Sequence, residues 1–310
     1  MAAYVGQRIA VLVPVVLLVF SAVFAIMHVL PGDPVQLMLA GAEAGVTTPE
    51  RIGQLRRSMG LDQPLYAQYS RFIAHAAVGD LGQSIRFQAP VNELVSAAAV
   101  QTFELSFAGM IAALFIGVPL GITAGLYENT WLDSAAMLLA LVGVSMPLFW
   151  LGLLLIFLVS IHLHWLPAIS GGALKGIILP AFTLGFISAG IISRLMRASL
   201  IEALRNDYVR TAMAKGLAYR VVAGKHALRN ALIPVITVAG LQFGGMLSGA
   251  VITETVFSRP GLGSLIVKAI LWHDYPLIQG AVLLTSASYV TVNLLIDVLY
   301  AWVDPRIRYA

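Results

Sequence analysis

Six stretches of this chain are apolar over about 20 residues each, the length one helix needs to cross the hydrocarbon core of a bilayer. Inside that core each backbone amide must be satisfied within its own segment, so such stretches can only be helices. They lie near 9–30, 101–126, 134–161, 177–197, 232–257 and 278–303. The first, IAVLVPVVLLVFSAVFAIMHVL, is longer than the apolar core of a signal peptide, about 7–15 residues, and runs into HVLPGDP instead of a small-residue cleavage site. It reads as a retained span. Composition agrees: 59% of the 310 residues are hydrophobic and 11% are charged, too few polar groups to cover a water-soluble surface. The fold class is all-α and polytopic, with six transmembrane helices.

Lysine and arginine orient the spans. Arg194, Arg197, Arg205, Arg210, Lys215, Arg220, Lys225 and Arg229 crowd the connection between spans four and five, Arg8 precedes span one, and Arg306 and Arg308 end the chain. Placing these sides in the cytoplasm leaves only Lys175, Arg259 and Lys268 in the short outer connections. The five arginines of segment 31–100 weigh little, because long loops translocate largely regardless of charge. Both termini are then cytoplasmic, as six spans require. The net charge of +4 therefore reads as membrane orientation and not as a nucleic-acid surface. With no cysteine, disulfide and Cys–metal chemistry are excluded.

Segment 31–100 is too long for a plain connection. TTPERIGQLRRSMG predicts a helix with Thr48 as N-cap, Pro49 in the first turn and Gly60 as the stop; PLYAQYSRFIAHAAVG predicts another, ended by Gly79. The segment reads as a small extracytoplasmic helical cap, with a substrate- or partner-facing role as the alternative. The organisation expected is thus a tail and first helix (1–30), this insertion (31–100), a five-helix core (101–303) with a cytoplasmic loop at 198–231, and a cytoplasmic tail (304–310).

Enzyme chemistry is poorly supported. His162 and His164 are two apart beside Trp165, a pattern that suits headgroup depth better than a metal site. GVSM, residues 143–146, has the form used by some intramembrane serine proteases, but no histidine is placed to serve as base, and Pro147 after it predicts a kink. Gly224-Lys225 is the nearest approach to a phosphate loop; His226 follows and Tyr219 stands where the first glycine belongs. Glu104, Glu254 and Asp297 lie toward span ends and read as hydrated or locally paired carboxylates, which gives little support to an ion relay. What is left is passive conduction, an ion-coupled carrier, or transport powered by another protein.

The stretch DYVRTAMAKGLAYR breaks the pattern. Asn206 and Asp207 can cap a helix start, residues 208–215 have good helix propensity, and Gly216 offers a left-handed stop. Tyr208, Thr211, Ala212 and Lys215 recur at helical spacing and are expected on one face, with Arg210 elsewhere. A second basic helix near 219–230 leads into span five. From residue types the short helix either lies on anionic lipid or docks a cytosolic protein.

DYVRTAMAKGLAYRVVAGKHALRNALIPVITVAGLQFGG resembles the cytoplasmic loop of type I ABC importer permeases, specifically the B-type subunit of the dipeptide, oligopeptide, glutathione and nickel group. HVLPGDP, GLDQPLYAQY, GDLGQSI, FWLGLLLI, HWLPA, ILPAFTLG, ETVFSRPGLGSLI, DYPLIQG and VDPRIRY resemble that group's runs in order, over essentially the whole chain. The superfamily's loop signature begins E-A-A, continues through three further residues and ends in glycine. Here Arg210, Thr211 and Ala212 stand at its first three positions and Gly216 at its last, so only Ala212 and Gly216 agree.

The resemblance implies a type I ABC importer permease fold in a bacterial inner membrane. It implies a C-type partner permease, two ATP-binding subunits and an extracytoplasmic solute-binding protein, with ATP and magnesium held by the ATPases and no cofactor or metal in this chain. Asp207, Tyr208, Arg210, Thr211, Ala212, Lys215, Gly216 and Leu217 would form the ATPase-docking helix. Ser145, Met146 and Phe149 near Pro147, with Gln242 and Met246 in span five, are candidates to line the pathway. Peptides are the first substrate expected, with glutathione and nickel as alternatives; a self-contained channel or ion-coupled carrier is the rival from another class.

Overall fold

The computed structural model describes residues 14–25, 49–58, 60, 62–169 and 175–303. Its helices are α1 (Pro14–Ala25), α2 (Pro49–Ser58), α3 (Leu65–Ala77), α4 (Val91–Leu126), α5 (Trp131–Ser145), α6 (Leu148–His162), α7 (Lys175–Arg205), α8 (Asp207–Ala214), α9 (Tyr219–Val256), α10 (Leu262–Leu271) and α11 (Tyr275–Val303). Among the described residues there is no strand, only an isolated antiparallel bridge between Gln83 and Pro90. Four helices, α4, α7, α9 and α11, are long and apolar enough to span a membrane; α5 with α6 makes a fifth if the bent pair is one span. α1 lies within the first expected span, whose ends are outside the described residues, as are Thr48 and the 304–310 tail.

Helices extend past the apolar stretches that announced them. α4 begins at Val91, ten residues before the expected edge, and α9 begins at Tyr219, so the expected second basic helix is the first part of one continuous rod. Hydropathy marks the lipid slab, whereas a helix continues until a capping or breaking residue stops it.

The third expected span is broken and not merely kinked. α5 and α6 meet at 106° across Met146 and Pro147. Proline lacks an amide hydrogen and pushes the residue before it out of the helical region, and Met146 sits at φ −80°, ψ 130°. Pro147 then starts α6, its carbonyl accepting from the Leu151 amide at 3.0 Å.

The chain divides into two compact units, to both of which α4 and α11 contribute. In the unit built on Phe103–Arg259, α7 is the central helix, buried at Leu184, Ile192, Met196 and Leu200. Gly117, Gly121 and Gly125 of α4 fall at i, i+4 and i+8 and face Ala189, Ser193, Met196 and Leu200 of α7. Gly190 of α7 faces the Ala140 carbonyl of α5. These are contacts of backbone against backbone, which small residues permit in lipid. Gly244 and Gly245 read as similar contact points; Gly244 is buried, but a Cβ on Gly245 would meet nothing within 4 Å. In the same unit Arg259 is buried and donates to Glu104 at 2.8 Å, so Glu104 is locally paired, and Glu254 is fully buried.

In the other unit, Tyr69 and Phe72 of α3 pack on Phe20 and Phe24 of α1, and the Tyr69 and Ser21 hydroxyls lie 2.7 Å apart. GDLGQSI and DYPLIQG meet there. Gly79 and Gly82 take left-handed φ of 76°, which turns the chain so that Ser84 Oγ donates to the buried Asp274 carboxylate at 2.6 Å and the Arg86 amide donates to it at 3.0 Å. Gly280 leaves room for Val91 and Leu81.

Candidate functional site

Helix α7 ends at Arg205, and only Asn206 separates it from α8. Asn206 is the N-cap residue, with extended backbone, but its side chain does not cap the helix; its amide nitrogen donates back to the Glu202 carbonyl at 3.2 Å. The first turn closes through the Asn206 carbonyl, which accepts from the Val209 amide at 3.0 Å. At the other end Gly216 has φ +83°, and its amide and that of Leu217 donate to the carbonyls of Met213 and Ala212. This paired capping is the Schellman arrangement, and it requires the left-handed residue that glycine supplies.

Packing sets how α8 is rotated. Val209 is 3% exposed and joins the core with Val222 and Leu200, and Ala212, one turn on, packs on the same cluster. Ala212 therefore faces inward and does not share the outer face on which Tyr208, Thr211 and Lys215 are exposed. Met213, absent from the sequence reading, is also exposed, as are Leu217, Tyr219 and Val221 beyond the helix end. Arg210 and Asp207 are both exposed and 3.9 Å apart, an i, i+3 pair worth about 0–1 kcal/mol. Opposite Val209 and Ala212, α8 presents Asp207, Arg210 and Thr211, with Tyr208 and Met213 at the two edges of its buried face.

The segment after α8 is also unusual. Tyr219–Val221 opens α9 as ordinary helix, Val222–Ala227 is π-helical, and Leu228–Val256 completes it. Buried Val222, Ala223 and Ala227 hold this π segment against the core, while Lys225 and His226 stay exposed.

Two ion pairs join the end of α7 to the α4–α5 turn. Arg197 grips Asp133 with both arms of its fork, Nε to Oδ1 at 2.6 Å and Nη2 to Oδ2 at 2.7 Å, and the Asp133 side chain is 8% exposed. Asp133 also accepts from the Asn129 amide at 3.0 Å. Arg205 donates to Glu128 at 2.8 Å. A cleft of about 510 Å³ lies beside them, lined by Glu128, Arg197, Ala198, Ile201, Glu202, Arg205 and Asn206. The sequence reading placed Arg197 and Arg205 among the orienting charges and did not pair them.

The other candidates are scattered. Ser145, Met146 and Phe149 stand at the α5–α6 break, Ser145 and Phe149 exposed and Met146 half-buried. Gln242 donates to Ser188 at 3.2 Å, and Met246 is buried in the helical core. His162 and His164 are exposed beside exposed Trp165. Among the described residues no three His, Asp or Glu side chains converge as metal ligands.

Long apolar helices, the bent α5–α6 pair and the short helix between α7 and α9 form a fold that solved membrane-transporter structures share. An inward-facing form of the MetNI methionine ABC transporter superposes with a TM-score of 0.59 at 16% identity, covering 68% of this chain and 96% of that one. An amino acid ABC transporter gives 0.54 at 16%, covering 67% and 93%. Residues 117–309 match the family described as binding-protein-dependent transport system inner membrane component, and residues 1–95 match the N-terminal region described for the same membrane components; the chain belongs to this family. It is 44% identical over 306 residues to the glutathione transport system permease protein GsiC of Salmonella paratyphi A, covering 99% of each chain. It is 42% identical over 337 residues, covering all of each chain, to the dipeptide transport system permease protein DppB of Alkalihalophilus pseudofirmus. The protein is thus a multi-pass inner-membrane permease subunit of a binding-protein-dependent importer, in which ATP hydrolysis belongs to a separate subunit.

Proposed function

We propose that the chain forms half of the translocation pathway of an importer for small peptides, and that α8 is the helix through which a cytosolic ATPase drives it. The observation that carries the docking role is that every residue of α8 except Val209 and Ala212 is exposed, with Tyr208 and Met213 flanking the buried face and Asp207, Arg210 and Thr211 opposite it. Tyrosine, methionine and arginine are enriched at protein interfaces. Val209 and Ala212 anchor the inner face, so a force on the outer face is delivered to the core.

The other half of the pathway is a C-type permease, and the assembly includes two ATP-binding subunits, where ATP and magnesium bind, and an extracytoplasmic solute-binding protein. The basic residues of the α7–α9 connection put that loop, and with it both termini, in the cytoplasm. Ser145, Met146 and Phe149, exposed or half-exposed where α5 breaks from α6, face the pathway together with Gln242. Relatives named for glutathione and for dipeptides match over the full length, and glutathione is itself a small peptide, so one pathway chemistry serves both.

The test is a mild-detergent pull-down of the tagged chain from its native membranes, with the recovered proteins identified by mass spectrometry. Two ATPases, a second permease and a solute-binding protein are expected. A chain that comes out alone and moves solute by itself in liposomes overturns the reading.

A further inference from the structure

Motion of α8 has two evident routes into the membrane, since the chain continues directly into α7 on one side and into α9 on the other. The chain does not continue from α8 into α5, the helix that ends at the Pro147 break, but α7 packs directly on α5 where Gly190 faces the Ala140 carbonyl. The ion pairs at the base of α7 add an oriented link to the first turn of α5. Arg197 and Arg205 lie in the last turns of α7, immediately before α8, and both reach one short piece of chain, residues 128–133, that joins α4 to the start of α5.

The pairs differ in a way that suits a link. The Asp133–Arg197 fork is nearly enclosed, and a bidentate guanidinium–carboxylate contact fixes orientation as well as distance. Asp133 also holds the Asn129 amide, so the fork grips the turn and the first turn of α5 together. The Glu128–Arg205 pair is more open, with side chains 32% and 70% exposed. The cleft of about 510 Å³ opens beside these pairs and is lined by both members of the Glu128–Arg205 pair and by Arg197.

We propose that Asp133, Arg197, Glu128 and Arg205 are positioning residues that pass displacement of α8 to α5, and through it to the α5–α6 break at Pro147. This rests on α8 being the helix the ATPase pushes. α5 is a 15-residue helix without proline inside it, so it carries a shift of its first turn to its last, where Ser145 and Met146 stand.

The test uses the complete transporter, purified with its partner permease, ATPases and binding protein and reconstituted in nanodiscs. The chain has no cysteine, so Leu139→Cys on α5 and Leu241→Cys on α9, both exposed, take spin labels without background from this subunit. The distance between them is measured by electron double resonance without nucleotide and after trapping with ATP and vanadate. The expected result is a nucleotide-dependent shift in the parent that falls at least twofold in Glu128→Arg and in Arg205→Glu, returns in the charge-reversed double variant, and falls in Asp133→Asn. The nucleotide-free distance stays as in the parent, which a merely structural role would not predict. A full shift in the assembled single variants, no shift in the parent, or no rescue in the double variant overturns the link alone. If the ATPases do not purify with the chain, the docking reading fails first and the link with it.

Discussion

A Cβ added at Gly121 would lie 2.5 Å from both the Met196 Cβ and the Ser193 carbonyl oxygen, and one at Gly117 would lie 2.7 Å from the Ala189 carbonyl oxygen. Backbone cannot swing away as a side-chain tip can, so α4 and α7 must separate. Gly121→Ala is expected to destabilise the helical core by about 1–3 kcal/mol, read as a lower midpoint of thermal unfolding in detergent. Gly245→Ala, with open space at its Cβ inside a helix, is the control expected to keep or raise the midpoint. Outside the membrane, Asp80 accepts from the Gly82 amide at 3.0 Å and pairs with His75 at 2.9 Å. The Gly82 hydrogen bond first, and His75 second, hold its carboxyl below the usual carboxylate range. A depressed folded-state pKa adds stability above the unfolded value, and that stability is lost as pH falls through the folded value. Protection of the Gly82 amide from hydrogen exchange should therefore decline at acid pH below the ordinary carboxylate range, and Asp80→Asn should abolish the decline.

Helix α8 was legible before its structure was known, because its limits are local. The glycine at the left-handed stop bounds its end, and Asn206 stands at its start with extended backbone, though without the side-chain cap its residue type suggested. Its rotation was not legible: Tyr208, Thr211, Ala212 and Lys215 fit one helical face by spacing alone, and burial of Val209 turns Ala212 away from the others. Gly216→Pro tests the element as a whole. Proline is locked near φ −65° and cannot take the +83° found there, so the cap is lost and the chain leaves α8 in another direction. Transport by the assembled importer should fall at least tenfold in this variant with the chain still inserted in the membrane; normal uptake at equal expression would sink the docking role. Pro147 shows the same division. Its effect on the helix was evident from the residue, but the 106° angle between α5 and α6 is set by what each half packs against.

For the molecule as a whole, the span pattern and the ordered runs from HVLPGDP to VDPRIRY carried the all-α class and the family; relatives support the family over the full chain, and solved structures share the fold over 68% of it, with four or five spans among the described residues. Large apolar side chains remain exposed along the helices, among them Phe107, Phe115 and Leu138, and they require lipid or a second permease as cover. The chain alone in liposomes is accordingly expected to move no glutathione or dipeptide, whether or not ATP is enclosed. Adding the second permease, the ATPases and the loaded binding protein should produce ATP-dependent accumulation. Uptake by the isolated chain at a comparable rate would place it among self-contained channels or carriers.

By itself the sequence determined which segments are apolar helices and where two of them stop or break. Those outcomes depend on hydropathy over about 20 residues and on single glycine and proline residues. Only the tertiary structure decided that Gly117 and Gly121, and not Gly245, lie at a helix contact, that Glu254 is buried, and that Asp133 pairs with Arg197. The reason is range. Span and turn signals are read within a few residues, whereas the rotation of a helix about its axis and an ion pair between residues 64 apart exist only once the helices have packed.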